Sequence, residues 1–162
     1  MSENNSNPES LLRNWLIKFV EHKDVLKKEI QEKKEFERGV LFVHKNRKHY
    51  YMILPFMKGI EEILEDKRKL KAEEDVDGFT VVCFNSEHNL KLLIANWKRF
   101  IGFPELNFIF VNPFSKSEKK WIVNPNFHQR ICDNESLETG IQSLFNTVDK
   151  VEAEQIEKIF GS

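Results

Sequence analysis

The sequence predicts an α/β fold: a mixed, mostly parallel sheet of about five strands with helices on both faces, forming a three-layer sandwich with an antiparallel hairpin at one or both flanks. Short, continuous apolar runs at 79–84, 106–111 and 121–123 are typical of buried strands. The first two runs are joined by an amphipathic segment long enough for a right-handed parallel crossover. We therefore expect the sheet to be at least partly parallel.

Composition indicates one compact unit. The 162 residues can bury a continuous core, and 40% of them are hydrophobic, including 14 Phe. We expect a disordered tail at 1–7 and a single α/β domain at 8–162. Because 25 Lys and Arg face 26 Asp and Glu, the net charge of −1 excludes a whole-surface attraction to phosphate backbones. A nucleic-acid contact would need a local patch.

The two cysteines, Cys83 and Cys132, have no partner at metal-ligand spacing. They fit free thiols in a reducing compartment, and the start of the chain lacks a signal-peptide pattern, so we expect a cytoplasmic protein without membrane contact. The 6 glycines are dispersed, which leaves no phosphate-binding fingerprint. No cofactor and no metal are predicted.

The first half of the chain predicts a helix followed by a hairpin. Asn7 is placed to cap a helix that begins at Pro8, and apolar residues recur at helical spacing as far as Val20. The charged stretch 27–37 is expected to extend this helix. The runs 36–43 and 50–54 then predict a β-hairpin with the basic tip 44–49, whose turn lacks the Asn-Gly signal.

The second half alternates strands and helices. A surface helix is expected over 58–71, followed by the strand at 79–84 and by a helix, capped by Asn85 or Ser86, that extends to about Phe100. The strand from Leu106 is expected to form a hairpin with 121–123, because their connection is short. A helix capped by Asn134 or Ser136 and a last short helix at 151–160 complete the prediction.

Asparagines follow the three buried strands. Asn85, Asn112 and Asn124 each come directly after an apolar run, and Ser86 and His88 adjoin the first of them. Ligands of open α/β sheets bind at the carboxyl ends of strands, so we expect these residues to lie at one sheet edge as candidate ligand-binding groups. The same residues are also typical of helix caps and of Asn-Pro turns.

Residues 126–133 contain the densest run of functional side-chain types. His128, Arg130 and Asp133 are close enough in sequence to form an acid/base or anion-binding group if this loop folds over the sheet edge. His128 and Arg130 are therefore candidates for ligand binding. A loop anchored by Phe127 and Ile131, with the polar residues in solvent, is the alternative.

The hairpin tip is a candidate for nucleic-acid binding. Lys45, Arg47 and Lys48 supply positive charge, and Tyr50 is placed to stack on a base while its neighbour Tyr51 packs inward, or the reverse. Charged hairpin ends also protect sheet edges from aggregation.

Every catalytic constellation in the sequence is incomplete, so a catalytic residue set is not predicted. The first hypothesis is a non-catalytic binding or adaptor domain that engages protein or nucleic acid, and a homodimer is compatible with it. The second is a metal-dependent, nuclease-like enzyme acting on phosphodiesters, for which Glu118-Lys119-Lys120 is the nearest motif. The third is small-molecule binding at the Asn85/Asn112 edge.

Overall fold

A computed structural model describes residues 7–132 and 136–160. Its elements, in chain order, are α1 (Pro8–Lys23), β1 (Ile30–Glu35), β2 (Gly39–His44), β3 (Lys48–Ile53), α2 (Ile60–Glu74), β4 (Gly78–Phe84), α3 (Glu87–Ala95), α4 (Trp97–Phe100), β5 (Leu106–Val111), β6 (Lys120–Val123), α5 (Pro125–Ile131), α6 (Leu137–Asn146) and α7 (Ala153–Phe160). The tail predicted at 1–7 lies outside the described residues except for Asn7, and so does the alternative cap Asn134. The protein is a mixed α/β structure.

The strands form one six-stranded sheet in the order β1-β2-β3-β4-β5-β6. The pairs β3/β4 and β4/β5 are parallel, and the other three pairs are antiparallel. A mixed sheet with a hairpin at each flank is thus confirmed. The prediction of about five, mostly parallel strands is wrong, because the sheet gains a strand at its antiparallel flank.

The additional strand β1 replaces the predicted extension of the first helix. Helix α1 ends at Lys23, and the carboxylate of Asp24 accepts the backbone N–H groups of Glu29 and Ile30 at 2.9 and 3.0 Å. These bonds turn the chain into a strand that pairs with β2. Four of the six residues of β1 carry charge, which is typical of an exposed edge strand and hides the apolar alternation by which strands are recognised.

The crossover between β4 and β5 is confirmed, and its helix is divided into α3 and α4 at Asn96. Ser86, and not Asn85, caps α3 by accepting the N–H of Asn89 at 3.2 Å. Residues 125–131, which we expected in a loop, form the helix α5.

Alternate residues of the central strands belong to two different hydrophobic clusters. In β4, Val81 and Cys83 pack with residues of α2, α3, α4 and α6, whereas Val82 and Phe84 pack with residues of α1 and with Val151. Leu12 and Leu16 of α1 are fully buried, and each contributes roughly 1.5–3 kcal/mol through burial. The continuous apolar runs of β4 and β5 therefore reflect strands that are covered on both faces. The third run, in β6, is covered on one face only, because Ile122 is 46% exposed.

None of the helices in the described ranges combines the length and the apolar character that a membrane crossing requires.

Candidate functional site

The Asn85/Asn112 edge has the geometry that parallel pairing predicts. Strands β4 and β5 end side by side, and the N–H of Asn85 donates to the carbonyl of Val111 at 2.8 Å. Both asparagines are buried, with exposed fractions of 0% and 3%. The chain segment that follows α6 covers them.

The side-chain amide of Asn85 is fully hydrogen-bonded to other groups of the protein. Its Nδ2 donates to the carbonyls of Val148 at 3.0 Å and Phe145 at 3.3 Å, and its Oδ1 accepts the indole N–H of Trp121 at 2.7 Å. The Nδ2 of Asn112 donates to the carbonyl of Asp149 at 2.8 Å. These groups hold the end of α6 on the sheet, which leaves them no free polar atom for a ligand.

A cavity of about 460 Å³ lies beside this edge, with Phe56, Ser86, His88 and Val151 in its lining. Ser86 is engaged as the cap of α3, and the Nε2–H of His88 donates to the carbonyl of Met57 at 2.5 Å. The polar candidates near the cavity, Ser86 and His88, are thus hydrogen-bonded within the protein.

Asn124 lies at the opposite edge of the sheet, which corrects the expectation that the three asparagines share one edge. Strand β6 runs antiparallel to β5, so its end is next to the beginning of β5. There the Oδ1 of Asn124 caps α5 by accepting the N–H of Phe127 at 2.8 Å, and its Nδ2 donates to the carbonyl of Pro104 at 2.8 Å.

His128 and Arg130 lie on helix α5, away from the Asn85/Asn112 edge. The ring of His128 packs edge-on against Trp97 with centroids 5.7 Å apart, and its Nε2 is 3.4 Å from the Sγ of Cys132. Burial lowers the pKa of His128. Arg130 is exposed, and Asp133 lies outside the described residues.

The motif Glu118-Lys119-Lys120 precedes and begins β6, and Glu118 pairs with Lys120 at 3.7 Å. Across residues 7–132 and 136–160, no three His, Cys, Asp or Glu side chains come together as a metal-ligand group.

Two of the four nucleic-acid candidates at the hairpin, Lys48 and Tyr50, are engaged within the protein. The ring of Tyr50 is only 1% exposed and packs on Phe79 with centroids 5.4 Å apart, so it is not accessible for stacking on a base. The Nζ of Lys48 donates to the carbonyl of Glu74 at 3.1 Å. Lys45 and Arg47 remain exposed at the tip.

A cleft of about 200 Å³ separates this tip from the end of α1, and we call it the basic cleft. It is lined by Val20, Lys23, Asp24, Lys27, Glu29, His44, Arg47 and Tyr51. Two chain segments about twenty residues apart in sequence therefore bring three permanent cations, Lys23, Lys27 and Arg47, to one concavity.

Arg47 is held at the cleft by a buried relay. Its Nη2 donates to the Nδ1 of His49 at 3.0 Å, so the proton of the neutral imidazole sits on Nε2, which is 2.6 Å from the Oγ1 of Thr80. Burial, followed by the nearby Arg47, lowers the pKa of His49 to about 3. The neutral ring thus positions the guanidinium without competing with it for an anion.

Two carboxylates, those of Asp24 and Glu29, also line the basic cleft. Burial works against ionisation of Asp24, but the N–H groups of Glu29 and Ile30 outweigh it and lower the pKa of this carboxyl group. Its oxygens are thereby committed to the backbone. Burial and Arg47 lower the pKa of His44, which is neutral at pH 7. Three cations, Lys23, Lys27 and Arg47, thus face two carboxylates, and this excess of one positive charge can attract an anion.

Sequence reasoning found Arg47 and missed Lys23 and Lys27. Their short stretch was assigned to a continuing helix, and no local signal indicates that it turns toward the hairpin.

A scan against protein-family models finds no match, and searches of the curated proteins and of the solved structures find no significant match either.

Proposed function

We propose that the protein is a non-catalytic binding domain that engages the phosphate backbone of a nucleic acid at the basic cleft. The observation that carries the proposal is the convergence of three cations: Lys23 at the end of α1, Lys27 in the turn that follows, and Arg47 from the hairpin tip. Neutralising a phosphate with lysine or arginine releases condensed counterions, which favours binding without any base-specific contact. A net charge of −1 confines this attraction to the local patch.

The test is a titration of labelled DNA and RNA, single-stranded and duplex, at low and moderate salt. The variant Lys27→Gln/Lys45→Gln removes one charge of the cleft and one from the adjoining hairpin tip, where the N–H of Lys45 donates to the carbonyl of the cleft residue Glu29. Both side chains are exposed and make no ion pair within the described part of the chain. Its affinity at low salt is expected to fall about tenfold, and the slope of log K against the logarithm of salt concentration is expected to become shallower by about 1.4 for a single strand. Lys69→Gln/Lys98→Gln, on exposed surfaces of α2 and α4, is the matched control and keeps wild-type binding.

Absence of binding at low salt, or equal binding by the two charge variants, would refute the proposal. Running each titration with magnesium and with a chelator also tests the nuclease-like alternative. Magnesium-dependent shortening of the labelled strand would favour that alternative.

A second candidate is a protein partner or a homodimer, and exposed apolar side chains on α5 favour it. Phe127 and Ile131 are one helical turn apart, and they are 59% and 64% exposed. Sedimentation velocity over a range of protein concentrations tests self-association. A concentration-dependent dimer that Ile131→Ser abolishes would support this candidate, and a monomer throughout would oppose the homodimer.

The finer features expected from the sequence are proposals too. One hydrophobic cluster contains residues of α1, and the other contains residues of α2, α3, α4 and α6, which supports a three-layer sandwich. The unpaired thiols of Cys83 and Cys132 fit a cytoplasmic location. Small-molecule binding at the sheet edge would use the 460 Å³ cavity beside Phe56, and not the amides of Asn85 and Asn112.

A further inference from the structure

An exposed aliphatic pair adjoins the basic cleft. Val25 is 59% exposed and Leu26 is 93% exposed, and both lie between the cleft residues Asp24 and Lys27. The N–H of Lys28 donates to the carbonyl of Asp24 at 2.8 Å, which closes the turn that carries the pair. The turn is thus fixed at both ends by Asp24, with its apolar side chains in solvent beside the cations.

From this juxtaposition we infer that the basic cleft takes single-stranded nucleic acid, with a phosphate in the cleft and an unpaired base on Val25 and Leu26. The inference rests on the proposed function and specifies the kind of nucleic acid that binds, a single strand. A single strand offers apolar base faces next to each phosphate, and proteins that bind it combine positive charge with aromatic side chains on which bases stack. Here the exposed aliphatic side chains of Val25 and Leu26 would supply the apolar contact instead. A duplex keeps those faces stacked inside.

The dimensions of the cleft agree with this division. A volume of about 200 Å³ accommodates a phosphate with part of its sugar, and the lining offers cationic groups in place of an apolar slot for a base. The base must then lie outside, where Leu26 projects. Tyr51 closes the inner wall, and its ring is engaged with His49 at a centroid distance of 4.5 Å.

An anionic lipid surface would also combine cations with aliphatic side chains, but the geometry favours a strand. A bilayer presents a plane, whereas the cations here line a concavity. Two aliphatic side chains also offer far less apolar area than the face of an interfacial helix. Lipid vesicles are therefore one arm of the test.

The test compares four probes at one low salt concentration: a labelled oligonucleotide as a single strand, the same sequence as a duplex, inorganic polyphosphate, and vesicles of phosphatidylserine and phosphatidylcholine. We expect the single strand to bind most tightly. Leu26→Ser is expected to weaken single-strand binding about fivefold and to leave polyphosphate binding unchanged, because only the base contact is lost. Ile122→Ser, at an exposed aliphatic position on β6, at the sheet edge opposite β1, is the matched control and keeps wild-type affinity.

The outcomes separate this inference from the function on which it rests. If the duplex binds as tightly as the single strand, or if Leu26→Ser leaves single-strand affinity unchanged, the inference is overturned while a cation-dependent phosphate site remains. Binding to the vesicles without binding to the single strand overturns both. Single-strand binding that Leu26→Ser weakens but Lys27→Gln/Lys45→Gln does not would retain the base contact and overturn the proposed phosphate contact.

Discussion

Asn85 joins three parts of the fold, and its replacement by alanine tests whether this joint is structural. The side chain donates to three carbonyls at the end of α6 and just after it, and it accepts the indole N–H of Trp121 on β6. The residue is fully buried, so water does not replace the lost partners. A side chain placed here for ligand binding would instead leave stability nearly unchanged when truncated.

The expected cost of Asn85→Ala follows from these contacts. Leaving the N–H of Trp121 buried without an acceptor costs about 1–3 kcal/mol, and the carbonyls of Val148 and Phe145 each lose a donor. We expect the free energy of unfolding to fall by about 4 kcal/mol, and the midpoint of thermal unfolding to fall by about 8–16 °C for a chain of this size. Urea unfolding followed by far-UV circular dichroism measures the change.

A double-mutant cycle with Trp121→Phe isolates the central hydrogen bond. Because phenylalanine has no N–H, Asn85→Ala is expected to cost about 1–2 kcal/mol less in the Trp121→Phe background than in the wild type. Asn146→Ala, at an exposed position on α6, is the control and stays within about 0.5 kcal/mol of the wild type. Equal costs in the two backgrounds would refute the reasoning, as would a total cost of Asn85→Ala below about 1 kcal/mol.

Three further predictions concern the hairpin and its contacts. His49 has a pKa of about 3 in the folded protein against an ordinary value of 6.5, so the unfolded chain takes up a proton that the folded protein does not. The free energy of unfolding therefore decreases as pH falls below 6.5, by about 3 kcal/mol at pH 4.5. In urea unfolding of His49→Phe this free energy should depend less steeply on pH, and an unchanged dependence would contradict the prediction. Gly39→Ala is expected to lower the free energy of unfolding by about 1–3 kcal/mol, because the added Cβ would overlap the carbonyl oxygen of Tyr51. Gly59→Ala, whose added Cβ meets no neighbouring atom within 4 Å, should cost only about 0.5 kcal/mol in the same assay, because alanine is a poorer N-cap for α2 than glycine. Arg13→Met should lower the free energy of unfolding by about 2 kcal/mol, because it removes the guanidinium hydrogen bonds to the carbonyls of Gly39 at 3.1 Å and Glu37 at 2.9 Å. Thermal unfolding measures the change, and a loss below about 0.5 kcal/mol would show that water replaces these bonds.

The sequence predicted those parts of the fold in which local pattern and burial agree. The continuous apolar runs of β4 and β5 identified two parallel strands, and the helix between them identified their crossover. Strand β1 was missed because an edge strand can carry charge on both faces and then loses the alternation that identifies it. Helix α5 was missed because its Asn124-Pro125 start, which caps a helix here, is also a common turn.

The candidate sites were harder to predict than the fold, because the role of a side chain depends on which distant segment of the chain packs against it. Sequence correctly placed Asn85 and Asn112 at one sheet edge, but the end of α6 covers both and converts a binding edge into a structural joint. The basic cleft was not predicted, because Arg47 alone indicates little. It is completed by Lys23 at the end of α1 and by Lys27, which lies in a stretch expected to continue the helix. The missing information is the direction in which the chain turns after α1, which the two hydrogen bonds from the backbone to Asp24 determine. That turn places Lys27 in the cleft and Leu26 in solvent, so one capping carboxylate determines both the charge and the apolar contact on which the proposed binding depends.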